Sequence, residues 1–201
     1  MLRRLLLVRH GETLGRSSER FHGRTDVALA PEGAEQMLRA RALLRRESFD
    51  LVAASPLRRS FEAARALMPG APIWLASEFR EIDFGRWEGL TKQEIGERDP
   101  VLFRDWQARA PGFEFPGGER RSDFQARVMR GFALLEASGA TGVLAVLHKG
   151  VIRTLAERLT GEVLPADEPA LGAAVGLYRA GERWQLGRRG SDPAGFENLA
   201  A

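Results

Sequence analysis

Two hydrophobic rhythms alternate along this chain: short unbroken apolar runs, and apolar positions recurring at three- and four-residue spacing. The run Leu5-Leu6-Leu7-Val8 has no polar alternation, which predicts a strand over residues 4–9 buried on both faces. Leu51-Val52-Ala53-Ala54 and Ile73-Trp74-Leu75 read as further strands, and Val143-Leu144-Ala145-Val146-Leu147 as a central one. Pro31 suits a first helical position, and Ala34, Met37, Leu38 and Leu44, with Arg41 lending its aliphatic stem, mark a helix over about 31–46. Ala30 is a poor N-cap there, since Ser or Thr would typically add about 1 kcal/mol. Ser55-Pro56 predicts a capped start for a second helix, running to about Met68. Phe124, Val128, Phe132 and Leu135 place a long helix over 119–137, and another spans about 149–159, ending near Gly161. Ala174 to Tyr178 and Trp184 to Leu186 flank Ala180-Gly181, a hairpin signal.

Between these elements lie a loop over 10–30, rich in Gly, Ser, Arg and His, and a Pro- and Gly-punctuated segment over 82–118. That segment holds two short amphipathic stretches and reads as a small helical insertion over the sheet edge. The last ten residues carry Pro, Gly and Ser and are expected to be mobile. Strands alternating with helices predict an α/β fold, a three-layer α/β/α sandwich with a mostly parallel central sheet and a small helical cap insertion.

Length and composition narrow the classes. The 201 residues fit one domain over 1–201, with 82–118 as its insertion. No apolar run is long enough to span a bilayer, so no membrane partner is expected. Two arginines precede the first apolar run, but that run is short and lacks a small-residue cleavage site, so it reads as a strand rather than a signal peptide. The absence of cysteine excludes disulfides, a thiolate nucleophile and Cys-ligated zinc, and a cytoplasmic location is the simplest expectation. Net charge is +3, and Lys92 and Lys149 are the only lysines among the cations. Basic residues are interleaved with Asp and Glu rather than blocked, which argues against a nucleic-acid partner.

The candidate chemistry sits where the apolar runs stop. Arg9-His10 and His148 each follow a strongly apolar strand, and Arg59 falls in the first turns of the helix after another. Carboxyl ends of parallel strands lie on one sheet edge, where ligands bind, so these groups can converge. Singly, each has a bland reading: Arg59 as a helix-surface charge, Glu81 as an ordinary loop carboxylate, His148 as a satisfied polar residue at a strand end. Together they hold the parts of phosphoryl transfer. Two arginines give bidentate recognition of a phosphomonoester dianion. A neutral imidazole held in one tautomer can attack phosphorus in line. A carboxylic acid with a raised pKa can protonate the leaving alkoxide, and a second imidazole can donate to the equatorial oxygens. Such a cluster needs no metal and no cofactor, and no Asp/Glu/His spacing here suggests a metal site.

Five ordered motifs now carry a resemblance. Arg9-His10-Gly11-Glu12-Thr13 is followed in register by Arg20-Phe21-x-Gly23-x-x-Asp26-x-x-Leu29 and Gly33. Then come Ser55-Pro56-Leu57-x-Arg59 and Glu81-x-x-Phe84-Gly85-x-Trp87-Glu88-Gly89. Pro116-Gly117-Gly118-Glu119 and Val146-Leu147-His148-x-Gly150-Val151-Ile152-Arg153 complete the set. Over most of residues 4–160 the chain resembles the histidine phosphatase superfamily, with its phosphoglycerate-mutase-like fold, and in particular its short bacterial phosphatase branch. The resemblance implies that His10 becomes a phosphohistidine, and that Arg9, Arg59 and His148 form the phosphate pocket. It implies further that Glu81 protonates the leaving oxygen and then deprotonates the attacking water, with 82–118 capping the site.

Departures from the family pattern bear on the substrate rim. Arg16 stands where the family usually has Asn, Lys149 where it usually has Gly, and Arg120 where Ser often follows Gly-Gly-Glu. Arg16 and Lys149 either point to solvent or bias the pocket toward a second negative charge. Arg20 and Gly23 belong to the same candidate rim. His22 either lines it or packs the loop, and Phe84, Trp87 and Trp106 either touch substrate or form the cap's own core. The expected function is metal-independent hydrolysis of a small phosphorylated metabolite through phosphohistidine. The alternatives are a phosphoglycerate mutase and a phospho-ligand-binding module without turnover. Mutases of this fold have a longer insertion and a Tyr-containing segment after the acid. The Phe84–Gly89 segment is phosphatase-like instead, and intact His10 and Glu81 argue for turnover. The 174–186 hairpin could pair across a homodimer or serve as an edge strand.

Overall fold

The computed structural model describes residues 1–44 and 47–190. A six-stranded sheet runs through its middle. In chain order the elements are β1 (Arg4–Arg9), α1 (Pro31–Leu43), β2 (Leu51–Ala54), α2 (Arg58–Leu67) and β3 (Ile73–Leu75). They continue with α3 (Lys92–Arg98), α4 (Pro100–Gln107), α5 (Arg121–Ala137), β4 (Gly142–Leu147), α6 (Lys149–Thr160), β5 (Ala174–Ala180) and β6 (Arg183–Gly190). The strand order is β3-β2-β4-β1-β5-β6. β1 to β4 are mutually parallel, and β5 and β6 add an antiparallel edge. The expected mostly parallel α/β/α architecture is the one found.

The two-residue period of the strands divides the core. Successive side chains of β1 point to opposite faces. Leu5 and Leu7 join Val143, Ala145 and Leu147 of β4 in one cluster, beneath Phe124, Val128, Phe132 and Leu135 of α5 and Val151, Ile152 and Leu155 of α6. Leu6 and Val8 join Leu144 and Val146 on the other face, beneath Met37 and Ala40 of α1 and Ala63, Ala64 and Leu67 of α2. This two-sided burial is why β1 and β4 carry no polar alternation. Each fully buried Leu or Val contributes roughly 1.5–3 kcal/mol over its exposed state.

Three boundaries differ from expectation. The helix after β2 begins at Arg58 with Leu57 at the N-cap, not at Ser55-Pro56. Ser55 is buried in the turn instead, where its N–H donates to Ser60 Oγ and its Oγ accepts from the Leu57 N–H. The buried face of α1 is Gly33, Met37 and Ala40, continued by Leu44, whereas Leu38 and Arg41 are exposed. Met37 and Ala40 share a cluster with Ala63, Ala64 and Leu67 of α2, while Gly33 lies against the loop after β1, where a Cβ would come within 2.1 Å of the Glu12 carbonyl oxygen. α1 ends at Leu43, and residues 45–46 of the expected helix lie outside the described residues, as do the last ten residues expected to be mobile. The long helix starts at Arg121 rather than 119. α6 closes on Gly161 at φ 78°, a left-handed conformation that a Cβ disfavours. Among the described residues no helix is long and apolar enough to cross a membrane.

In the 82–118 segment the aromatic residues pack on one another and extend the cluster that covers one face of the sheet. Trp87 is fully buried among Phe21, Phe103, Trp106, Phe113 and Phe115, and its Nε1 donates to Asp99 Oδ2 at 2.8 Å. Phe84 packs edge-on against Phe21 and Phe115. Phe21 comes from the 10–30 loop, so that loop and this segment form one packed unit.

Candidate active site

β1 and β4 are neighbours, and Arg9 pairs in register with Leu147. The next residue on each strand is a histidine. His10 and His148 therefore emerge side by side at the carboxyl edge, their rings edge-on with centroids 5.2 Å apart. Both are buried, His10 4% and His148 1% exposed.

The tautomer of His10 follows from one bond. Its Nδ1 lies 2.7 Å from the Gly11 carbonyl oxygen, which can only accept, so Nδ1 carries the proton and Nε2 is left with its lone pair. Burial, then the charges of Arg59 and Arg9, hold the imidazole pKa well below the ordinary histidine range. The ring is neutral at physiological pH. Burial first, then Arg59, does the same to His148, whose two ring nitrogens are buried with no partner among the described residues.

Two guanidinium groups flank the imidazoles. Arg9 Nη1 donates to the Pro169 carbonyl at 3.0 Å, while its Nε is buried without a partner. Burial brings the Arg9 pKa down to about 10, against the opposing pull of Glu81 and Glu12, so the group stays protonated at neutral pH. Arg59, on the first turn of α2, is completely buried. It donates from Nη1 to the Thr25 carbonyl (2.8 Å) and from Nη2 to those of His22 (2.9 Å) and Gly23 (2.7 Å), leaving Nε unpartnered. The helix-surface alternative for Arg59 is thereby excluded.

Glu81 completes the cluster. Burial raises its pKa above the ordinary carboxyl value, opposed by its hydrogen bonds and by Arg59 and Arg9. Its Oε2 accepts from the Gly150 N–H at 2.9 Å and its Oε1 from the Ile82 N–H at 3.0 Å. A Cβ on residue 150 would lie 2.4 Å from Oε1, so only glycine lets the carboxylate come this close to α6. Each unpaired buried donor costs roughly 1–3 kcal/mol. His148, Arg9 Nε and Arg59 Nε carry that cost together in one place, which an anion accepting from them would relieve.

The candidate rim residues disperse. Arg16 has φ 59°, and its side chain is two-thirds exposed and ion-paired with Glu19 at 2.6 Å. Arg20 ties the loop to the 82–118 segment, donating to the Gly89 carbonyl and to Glu94 Oε2. His22 donates from Nε2 to the Gly15 carbonyl at 2.7 Å, with Nδ1 buried and unpartnered. Gly23 gives its carbonyl to Arg59 and its N–H to Glu88. Lys149, first residue of α6, is half-buried directly after His148.

Three supporting residues were not singled out from sequence. Glu88 accepts from the N–H groups of Gly23, Arg24, Thr25 and Phe84, holding the loop that carries the carbonyls around Arg59. Arg127 makes a two-pronged ion pair with Glu119 and donates to the carbonyls of Glu78, Arg80 and Glu81, bracing the backbone under the acid. Gly150 is the third. Glu88, Glu119 and Gly150 stood within recognised motifs, while Arg127 left no signal in the sequence.

Comparison with known proteins follows the same outline. The family model described as the histidine phosphatase superfamily (branch 1) matches residues 5–175. The bifunctional protein Rv2228c of Mycobacterium tuberculosis is 40% identical over 159 residues, which are 76% of this chain and 43% of that protein. The chain thus spans less than half the length of that relative. The glucosyl-3-phosphoglycerate phosphatase of Mycolicibacterium vanbaalenii is 32% identical over 215 residues, covering 98% of this chain and 91% of that one. The crystal structure of the alpha-ribazole phosphatase from Shigella flexneri superposes with a TM-score of 0.79 at 29% identity, over 94% of this chain and 96% of that one.

Proposed function

Because the chain belongs to the histidine phosphatase superfamily (branch 1), we propose that it hydrolyses a small phosphomonoester through a phosphohistidine at His10. The observation that carries this reading is the Nδ1 bond of His10 to the Gly11 carbonyl, which leaves Nε2 bare beside a second neutral imidazole and two buried guanidiniums.

The phosphoryl oxygens are held by Arg9, Arg59 and His148. Nε2 of His10 attacks phosphorus as the P–O ester bond breaks, and the departing oxygen takes the proton of Glu81. Phosphohistidine and a free alcohol result. Water then gives a proton to the Glu81 carboxylate as its oxygen attacks phosphorus, and the P–N bond breaks to release inorganic phosphate and neutral His10. Glu81 is suited to both halves because burial biases it toward the protonated form while two backbone N–H groups keep the anion accessible. Residues 82–118 cap the pocket. The substrate is a phosphorylated metabolite, in keeping with the named activities of the glucosyl-3-phosphoglycerate and alpha-ribazole phosphatase relatives.

A phosphate-release screen with EDTA present, over sugar phosphates, phosphoglycerates, nucleotides and α-ribazole phosphate, tests the reading. Release together with an acid-labile phospho-adduct on His10 is expected. Interconversion of 2- and 3-phosphoglycerate without release would move the assignment to a mutase.

A further inference from the structure

A cluster of positive charge stands beside the phosphate pocket, and the reaction described above makes no use of it. Lys149 begins α6, one residue beyond His148 and one before the Gly150 N–H that holds Glu81. A cation in the first turn opposes the helix dipole. Here it is also half-buried, and among the described residues Nζ has neither a hydrogen-bond acceptor nor a carboxylate within ion-pair distance. Burial, then the charges of Arg9, Arg153 and Lys92, brings its pKa down to about 8, with Asp167 pulling weakly the other way.

The surrounding cations come from two separate parts of the chain. Lys92 opens α3 in the 82–118 segment, and Arg153 lies one turn along α6 from Lys149. Arg153 in turn feels the charge of Arg109, just past α4. Arg153 is fixed in place: its Nη1 donates to the Pro165 carbonyl and to that of Glu168 at 3.0 Å. The same 165–169 stretch gives the Pro169 carbonyl to Arg9. One short segment therefore braces both the phosphate-pocket arginine and the neighbouring cation. Clustered like charges, partly removed from water, disfavour the empty protein and favour any anion that enters among them.

We propose that Lys149, with Lys92 and Arg153 around it, receives a second anionic group of the substrate. The enzyme then selects phosphomonoesters that carry a carboxylate or a further phosphate near the ester being cleaved. This rests on the phosphatase reading above. It also separates the two unusual basic residues: Arg16 is held away by Glu19, whereas Lys149 lies beside the pocket and is unpaired among the described residues. A carboxylate and a second phosphate are both anions that an ammonium attracts, the phosphate carrying the larger charge, so matched substrates distinguish them.

The test compares kcat and KM for 3-phosphoglycerate against glycerol 3-phosphate, and fructose 1,6-bisphosphate against fructose 6-phosphate, in wild type, Lys149→Gln and Lys149→Arg. p-Nitrophenyl phosphate serves as the generic ester. Wild type is expected to favour the doubly anionic member of at least one pair. Lys149→Gln is expected to cut that preference about tenfold, mainly through KM, and Lys149→Arg to restore most of it. The pair that responds identifies carboxylate or phosphate. Equal losses on both members of both pairs, or a preference untouched by Lys149→Gln, overturns the second-anion site while p-nitrophenyl phosphate turnover leaves the phosphatase reading standing. No phosphate release from any ester by wild type overturns both.

Discussion

The Gly150 amide donates to Glu81 Oε2 at 2.9 Å, which ties the candidate acid to the turn that carries His148. The proposed acid and the proposed phosphate-binding imidazole are thus positioned by one backbone segment. A methyl group at residue 150 would press to 2.4 Å of Oε1 and push the carboxylate off its seat. Gly150→Ala is expected to lower kcat about 100-fold, the scale of a 1 Å misplacement, with circular dichroism and melting close to wild type. Rates near wild type would detach Glu81 placement from catalysis.

Glu81→Gln removes the proton but keeps the shape. Esters with poor leaving groups, such as alkyl phosphates, are expected to slow by roughly 10²–10⁴-fold, the range of general acid–base catalysis. p-Nitrophenyl phosphate, whose leaving group needs little protonation, is expected to slow far less in its first step. Single-turnover kinetics read that step directly. Equal losses on both esters would take the acid role from Glu81.

His10→Ala is expected to reduce turnover by about a thousandfold or more, because the members of a catalytic unit fail together. Rapid quench with labelled substrate followed by an acid-lability assay reads the adduct, which wild type forms and the variant does not. Near-normal turnover in the variant would remove the phosphohistidine route.

Stability carries a signature of the buried imidazoles. Both have pKa values depressed well below the unfolded value near 6.5, so the unfolded chain binds protons that the folded one refuses. Their contribution is fully present above pH 6.5 and is lost as pH falls below it, by up to about 1.4 kcal/mol per pH unit per histidine. Glu81 has the opposite sign. Its raised pKa gives stability that is complete below about 4.5 and is lost as pH rises through the folded value, so it partly offsets the histidines in mildly acid solution. Urea unfolding between pH 7.0 and 5.5 is expected to show a steeper loss in wild type than in His148→Gln. Parallel slopes would mean that His148 titrates normally in the fold.

Arg16 occupies the left-handed region with φ 59°, a conformation costing an ordinary residue roughly 1–2 kcal/mol. Asn tolerates it better. Arg16→Asn is therefore expected to raise the melting temperature by about 2–4 °C, while the ratio of bisphosphate to monophosphate kcat/KM stays as in wild type. A fall in melting temperature would show that the Glu19 ion pair outweighs the backbone strain.

The legible parts of this molecule were those written in local pattern. Leu5 to Val8 and Val143 to Leu147 announce buried parallel strands because both faces of the sheet are covered. Once two strands are known to be parallel, their terminal residues His10 and His148 must share an edge. Gly161 was readable as a stop because the left-handed turn there disfavours a Cβ. Illegible were choices decided by contacts distant in sequence. Ser55 looked like a cap until the turn engaged it with Ser60. Arg20 looked like a ligand for anions until Glu94 and the Gly89 carbonyl claimed it. Arg127 gave no warning, because its five acceptors come from residues 78 to 119 and only the fold assembles them. Lys149 differed from the family pattern, but only the placement of Arg153 and Lys92 distinguishes a solvated charge from a clustered one.

The pairing of β1 with β4 and β5 has a consequence for synthesis on the ribosome. Strand β1, with four consecutive apolar residues, makes its ladder pairing, among the described residues, with strands that begin at residues 142 and 174. Until those residues have been synthesised it has no sheet neighbour to pair with and offers a sticky, unclaimed edge, as sheets built from distant segments do. A nascent chain that stops before Leu147 also lacks the second imidazole altogether. The two imidazoles are therefore brought together only when β4 slots in beside β1, and a product truncated ahead of β4 is expected to be both inert and prone to aggregate. Ribosome-stalled chains of increasing length would show protease resistance and phosphate release arriving together.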